Sequence, residues 1–354
     1  MDYHPILQAI RQEDAPAVLA TIASVTGHSY RKAGAAMLFR LQAGSIGSIS
    51  PGCLEADLLA RVPHVWQTGR MERVDYNMNP DEDAIWGESV GCGGAISVLL
   101  EPVRGHLWDC LTEAGRRMEQ GETTRLIREV RGGLPHYRLE SGSAAELASE
   151  DARFPQTLFV PRPTLLLFGA GEDAIPISCR AQEAGFRVVV ADWRERLLTQ
   201  DRFPGATLIA GAPELIVRQA GIRSGDYAVI SSHQAQRDRA MLAELVQLDM
   251  AYVGIIGSQR RIRTLTEGMD GKRLTAIHAP AGLRIGAEGP DEIAVSIAAE
   301  LIAVRAQRRA QRAKGGEGSE NRRHLFGSWG QQTNGRTKAV ARAVAGHYAR
   351  QPRT

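Results

Sequence analysis

The chain has 354 residues, room for two domains of the usual size, about 100–200 residues each. Charged residues make up 23% and hydrophobic residues 43%, an ordinary balance for a globular protein, and no apolar run approaches the roughly 20 residues needed to span a bilayer. The formal net charge of +3 is uneven: from Arg305 onward twelve Lys or Arg face only Glu317 and Glu320, a net of +10, which leaves residues 1–304 at −7.

The first residues, MDYHPILQAIRQEDAP, carry acids early and no apolar stretch before a small-residue cleavage site, so they are not expected to act as a secretion signal. A helix is expected around Pro5–Arg11, then a buried strand over VLATIASVT and further strands over AAMLFRL and SIGSIS. CLEADLLARVPHVWQTG places Leu54, Leu58, Leu59, Val62 and Val65 at helical spacing. Asp75–Asn79 reads as strand then loop, and a Gly-rich turn at Gly91–Gly94 feeds a strand over AISVLLEPV. Beyond it the pattern weakens: a helix over His106–Gln120, short strands over TTRLIREV and HYRLE, then a surface connection over SGSAAELASEDARFPQ, after which Pro161-Arg162-Pro163 punctuates a domain boundary. From Thr164 strands alternate with helices: TLLLF, a helix over Asp173–Ala184, RVVVAD, TLIA, DYAVISS, YVGIIGS and TAIHAP. That alternation predicts a parallel sheet with crossover helices. A last helix opens at Gly289-Pro290-Asp291, where Pro and Asp suit the first turn, and carries Ile293, Ile297, Leu301 and Val304 on one face. The expected class is α/β: a mixed α/β domain over 1–104, a connecting segment over 105–161, a Rossmann-like parallel-sheet domain over 162–305, and a basic, disordered tail over 306–354.

Within the second domain Gly169-Ala170-Gly171-Glu172-Asp173-Ala174 matches G-x-G-x-x-[GA] between a strand and a helix. Gly169 permits the tight turn, Gly171 lets a phosphate approach the backbone, and Ala174 allows close packing. Asp192 ends the next strand, 23 residues after Gly169, where a carboxylate can bind ribose hydroxyls. Glu172 and Asp173 favour the helix dipole but compete with an incoming phosphate. Other strand ends supply Ser231, Ser232, His233, Ser258, Arg260 and Arg261. Arg260 or Arg261 could hold phosphate, and His233 serves equally well as a structural hydrogen-bonder or a catalyst. No hydride-transfer constellation stands out.

The four cysteines, Cys53, Cys92, Cys110 and Cys179, form no CxxC pair and read as reduced thiols of a cytoplasmic protein. Cys110 and Cys179 fall in expected helices and are assigned to the core. Cys53 sits at a strand-to-helix turn, where the dipole favours thiolate. Cys92 lies in Gly91-Cys92-Gly93-Gly94, a backbone stripped of side chains that admits a bulky ligand and can present N–H groups to an anion. A small buried residue in a tight turn is the alternative reading for each. Neither has partners at zinc spacing; a metal carried by an organic dithiolene, needing few protein ligands, fits one or two thiols in a glycine cradle better.

In order along the chain, VLATIASVTGHSYRKAGAAML, GSISPGCLEADL, WGESVGCGG, LLLFGAGEDA with VVVADWRE, VISSHQAQRD, AYVGIIGSQRR and HAPAGLRIGAEGPDEIAVSIAAEL resemble the xanthine dehydrogenase accessory proteins of the XdhC/CoxI type, across roughly residues 1–305. The resemblance implies a cytoplasmic carrier that binds molybdenum cofactor, as molybdopterin or its cytosine dinucleotide form, and delivers it to an apo molybdenum hydroxylase. A sulfurase and a second copy of the chain are the further partners it implies. Cys53 and Cys92 become the expected molybdenum contacts; Gly91, Gly93 and Gly94 the cradle; Gly169, Gly171, Asp192, Ser258 and Arg260 the contacts to a nucleotide portion. Departures are Pro51 and Glu172, where the family commonly has Gly and His, and Gln234 after His233 in place of an acid, though Asp238 remains. Two alternatives stand beside this reading: an NAD(P)-dependent oxidoreductase using the Rossmann domain, and an interaction module acting through the basic tail. Neither a membrane nor nucleic acid is expected as a partner.

Overall fold

The computed structural model describes residues 3–13, 15–52, 54–77, 94–131, 134–142, 156–269 and 277–313. Cys53, Gly91, Cys92, Gly93, most of the expected surface connection and nearly all of the basic tail lie outside the described residues.

The first half is built on an antiparallel sheet of β1 (Ala17–Gly27), β2 (Ala36–Arg40), β3 (Gly44–Gly47), β4 (Glu72–Asn77) and β5 (Gly94–Pro102), in the order β3-β2-β1-β5-β4. Strand side chains alternate between faces, and here both faces are covered. Ala17, Leu19, Ala36 and Leu38 pack against α1 (His4–Gln12) and α3 (His106–Glu119), while Val18, Ala20, Ile22, Met37 and Phe39 pack with Leu54, Leu58, Val62 and Val65 at the start and along one face of α2 (Glu55–Thr68). Double coverage explains why VLATI reads as a continuous apolar run. Leu59, expected on the apolar face of α2, is 53% exposed.

The segment 105–161 is more than a connection. Its helix α3 and its sheet of β6 (Thr124–Arg131), β7 (Leu134–Ser141) and β8 (Thr157–Phe159), ordered β7-β6-β8, share one apolar cluster with α1 and β1 through Leu107, Leu111, Leu126, Tyr137 and Phe159. The chain leaves this body between Phe159 and Thr164, at the Pro-Arg-Pro punctuation.

The second half is a parallel sheet of β9 (Thr164–Phe168), β10 (Arg187–Asp192), β11 (Thr207–Ala210), β12 (Tyr227–Ile230), β13 (Tyr252–Ile255) and β14 (Ile277–His278), ordered β11-β10-β9-β12-β13-β14. That is the doubly wound Rossmann order, with its switch point between β9 and β12. Helices α4 (Ala174–Glu183) and α8 (Gly289–Ala313) cover one face; α5 (Pro213–Gln219), α6 (Ala235–Leu245) and α7 (Gln259–Thr266) cover the other. On α8 Ile297, Leu301 and Val304 are buried as the spacing predicts, with Ile293 packed at the margin. Glu300 of α8 accepts from the Tyr252 hydroxyl (2.7 Å) and the Gly282 amide (2.7 Å) and pairs with His278 Nδ1 (2.9 Å), tying α8 to the β14 edge. Among the described residues no helix is long and apolar enough to cross a membrane.

Cys110 is buried in the core as expected, but Cys179 is exposed. The buried positions of α4 are Ala174, Ile177, Ser178 and Ala181, and Cys179 falls off that stripe, its thiol 3.5 Å from Glu183.

Candidate functional site

The described neighbours of the two cysteine loops meet at one end of the first sheet. Gly94 opens β5 opposite Gly27, and Asn77 ends β4 opposite Ala95. The Tyr76 hydroxyl donates to Asp57 Oδ2 (2.5 Å), which pins the first turn of α2 beside the last residues of β4. Arg61 bridges the same carboxylate (3.0 Å) and Glu72 (2.7 Å). The amino end of α2, which follows Gly52 and Leu54, therefore sits over the strand ends from which the Gly94 segment departs.

The turn before α2 is held by its own polar groups. Glu55 accepts from the Ile49 (3.1 Å) and Ser50 (2.7 Å) amides and from the Ser50 hydroxyl, while Ser50 Oγ accepts from the Gly52 and Leu54 amides, each 3.1 Å. Leu54 anchors the turn in the core and Gly52 adopts φ +126, a conformation that favours glycine. Burial pushes the Glu55 carboxyl up, but the bonds from Ser50 and Ile49 outweigh it and hold it below the usual range. A carboxyl depressed on folding contributes stability above its unfolded value, about 4.3 for Glu, and loses it as pH falls through the folded value. We expect the Ile49, Ser50, Gly52 and Leu54 amides to lose hydrogen-exchange protection below about pH 4, and Glu55→Gln to show that loss already at pH 7. Protection unchanged in Glu55→Gln would show that the carboxylate does not hold the turn.

Gly94 is bare for a reason other than ligand access. A Cβ there would lie 2.5 Å from the His28 carbonyl oxygen and 2.6 Å from that of Thr26, so the neighbouring backbone itself excludes a side chain. This close backbone packing by itself requires glycine at position 94.

At the carboxyl edge of the parallel sheet the two loop glycines separate. Gly169 has φ +114, and a Cβ on it would lie 2.5 Å from the Ser232 amide nitrogen, so it lets the loop after β9 touch the loop after β12 at the switch point. A Cβ at Gly171 would meet nothing within 4 Å; this is where a ligand can approach. Glu172 turns outward, 84% exposed and paired with Arg202 (2.7 Å), whose guanidinium also donates to the Ala170 carbonyl (2.9 Å). Asp173 faces His233 Nε2 at 3.4 Å, and His233 holds a positive φ of 60°, uncommon for a residue with a side chain.

Asp192 does not offer the carboxylate expected for ribose hydroxyls. Its side chain is fully buried. Oδ2 accepts from the Ala170 amide (2.8 Å) and Arg194 Nη2 (2.8 Å), and Oδ1 from the Arg194 amide (2.8 Å) and Nε (3.0 Å). Burial opposes its charge, but these bonds prevail and lower its pKa. It braces the glycine loop. Ser258 is exposed and caps α7, accepting from the Arg261 amide (3.4 Å). Arg260 lies exposed, whereas Arg261 turns inward to the buried Asp238, which also accepts from the Ser232 hydroxyl. Of that pair it is therefore Arg261, already neutralised, that reaches the strand ends.

Two residues here escaped sequence reasoning. Trp193 follows Asp192, and the guanidiniums of Arg194 and Arg237 lie 4.6 Å and 4.5 Å from its ring centroid. The Trp-Arg pair directly after a strand end was the available signal. Arg237, inside α6, gave none. Among the described residues no cluster of His, Cys, Asp and Glu could hold a metal ion.

Comparison with known proteins agrees with this architecture. Residues 165–301 match the XdhC Rossmann domain and residues 10–77 match the XdhC and CoxI family. The chain is 34% identical over 325 residues to a probable xanthine dehydrogenase subunit from Bacillus subtilis, covering 86% of this chain and 98% of that protein. It is 24% identical over 296 residues to the molybdenum cofactor insertion chaperone PaoD of Escherichia coli, covering 82% and 83% of the two chains. A crystal structure described as a xanthine dehydrogenase from Bacillus halodurans is similar with a TM-score of 0.78 and 33% identity, over 88% of this chain and 98% of that one. The sequence motifs, the two matched domains and the full-length relatives agree: this chain belongs to the XdhC and CoxI family.

Proposed function

We propose that this protein binds molybdenum cofactor, as molybdopterin or its cytosine dinucleotide form, and delivers it to a molybdenum hydroxylase of the xanthine dehydrogenase type. Family membership and the names of its relatives support a part in xanthine dehydrogenase maturation. The observation that carries the finer reading is the meeting of the α2 amino end with the Gly94 end of β5, which brings the described flanks of Cys53 and Cys92 to one end of the sheet. On this reading the thiols of Cys53 and Cys92 serve a cargo whose metal is held mainly by its own dithiolene. The crevice beside Gly171 is the proposed place of a nucleotide portion. The partners on this reading are the apo-hydroxylase, a sulfurase and a second copy of the chain, in the cytoplasm. Delivery requires that the apo-enzyme compete for the cargo, which is a difference of affinities between two protein states. The dehydrogenase alternative is weakened because Asp192 is already fully engaged.

The test is molybdenum and pterin analysis after incubation with cofactor and desalting. Wild type is expected to retain both, and Cys53→Ala and Cys92→Ala to lose on the order of tenfold in affinity, the effect of about 1.4 kcal/mol. Equal retention by all three proteins would remove the thiols from the site.

A further inference from the structure

From the loop between β1 and β2 we infer a subsite for an organic phosphate, with Ser29 and Arg31 as its donors, that holds the phosphate of the cargo whose metal the cysteine loops serve. This rests on the proposed function, and adds to it the residues that recognise the phosphate of molybdopterin.

The loop connects the described flanks of the two cysteines. It leaves β1 at Gly27, which pairs with Gly94, and a Cβ on Gly94 would lie 2.5 Å from the His28 carbonyl oxygen. It returns at Gly34, whose amide donates to the Ile22 carbonyl (2.8 Å) and whose carbonyl accepts from the Tyr3 hydroxyl (2.6 Å). Ala35, the next residue, shares an apolar cluster with Ile22, Ile49 and Leu54, and the last two flank the turn before α2. Residues 28–33 therefore run from the flank of Cys92 towards that of Cys53.

Two donors in this loop lack acceptors. Ser29 Oγ and Arg31 Nε are both sealed from water, and neither has a hydrogen-bond partner. Arg31 is half-buried, and among the described residues it pairs with no carboxylate. Arg40 and Arg125 also leave Nε unmatched, but Glu13 and Glu140 hold their terminal nitrogens at 2.9 and 2.5 Å. Arg128, the most deeply buried arginine of this half, is bound by Glu101. Arg31 has no such neutralisation, and its surroundings in the chain, GHSYRKAGAA, contain no acid and place Lys32 beside it.

A donor shut away from water without an acceptor is unfavourable, and in folded proteins such groups are uncommon enough to mark the place of a partner. Arginine only donates, so that partner must accept, and beside an unneutralised guanidinium it is an anion. A guanidinium with a hydroxyl two residues away matches the several oxygens of a phosphate. Molybdopterin carries a phosphate ester on the same ring that bears its dithiolene. A cargo whose metal lies by the cysteine flanks therefore brings its phosphate to the loop that connects them.

The experiment follows, by pterin fluorescence, binding of molybdopterin and of the same pterin after phosphatase treatment to the full chain. Calorimetric titration with phenyl phosphate and with molybdate runs alongside. Wild type is expected to prefer the phosphorylated pterin about tenfold or more, the scale of hydrogen bonds to a charged group, and to bind phenyl phosphate more tightly than molybdate. Arg31→Gln should bind both pterins alike, Arg31→Lys should restore part of the preference, and Ser29→Ala should reduce it. Because Arg31 Nε has no partner in the free protein, Arg31→Gln should melt as wild type does. A large fall in its melting temperature would give Arg31 a structural role and overturn the inference. So would a preference retained in Arg31→Gln, equal binding of the two pterins by wild type, or molybdate binding as tightly as phenyl phosphate. Thiol-dependent cofactor retention without a phosphate preference overturns this inference alone. An Arg31-dependent preference without thiol dependence overturns the proposed cysteine site alone.

Discussion

Arg128→Met is expected to destabilise the protein by about 3–5 kcal/mol, the cost of leaving a buried charge without its partner. Arg128 Nε donates to both oxygens of Glu101, at 2.8 and 2.9 Å, and its Nη1 to Thr157 Oγ1 at 2.8 Å, with the two charged side chains 2% and 0% exposed. Glu101 stands on β5 of the five-stranded sheet; Arg128 and Thr157 stand on β6 and β8 of the three-stranded one. The pair is thus the polar bolt between the two sheets. Its net contribution is small, because desolvating both ions offsets most of their attraction, yet removing one partner strands the other in a medium that cannot solvate it. Glu101→Gln should be costly for the same reason, while Glu101→Leu with Arg128→Met should recover most of the loss. Urea denaturation of the four proteins measures this; a single variant within about 1 kcal/mol of wild type would mean that water reaches the pair.

The two glycines of the loop after β9 should respond oppositely to alanine. Gly169→Ala is expected to cost several kcal/mol, because a side chain at φ +114 is strained and its Cβ would press on the Ser231–Ser232 backbone, which cannot swing aside as a flexible side chain would. Gly171→Ala should stay within about 1 kcal/mol of wild type, since its Cβ enters open space. On the proposed nucleotide reading its effect should instead appear in ligand affinity, because the added methyl would occupy the path of a phosphate. Thermal melts and CMP titration of both variants separate the two roles. Equal destabilisation would mean that the loop packs as one unit and reserves no space for a ligand.

Much of the fold was legible because local rules and the tertiary fold agree. The buried run at 18–22, the α/β alternation from Thr164 and the apolar stripe of α8 each bury what their periodicity says they must. In the segment 105–161 the helix and two strands were legible, but the apolar cluster they share with α1 and β1 was not, because charged positions such as Arg125, Arg128 and Glu129 interrupt the alternation and Arg128 is inside. A buried charge looks in sequence like an exposed one; only its partner 27 residues away distinguishes the two cases. Cys179 failed in the other direction, since a helix face is set by what packs on it and not by residue type.

The site divides in the same way. Glycine spacing placed the turn after β9, and Gly169 needs its bare backbone as the motif implies. What each polar group does there was not legible. Asp192 occupies the ribose position of the motif, yet it is used up by Ala170 and Arg194. Arg260 and Arg261 are adjacent and alike, and helical geometry sends only the second inward to Asp238.

The sequence by itself determined the α/β class, the parallel sheet with its glycine loop, and membership of a family whose motifs run the length of both domains, because periodicity and backbone requirements are written locally. Only the tertiary structure decided which carboxylates and guanidiniums neutralise one another and which lie exposed. Those pairings join residues on different strands and helices, and a charge acquires its meaning only from the groups that folding brings within reach of it.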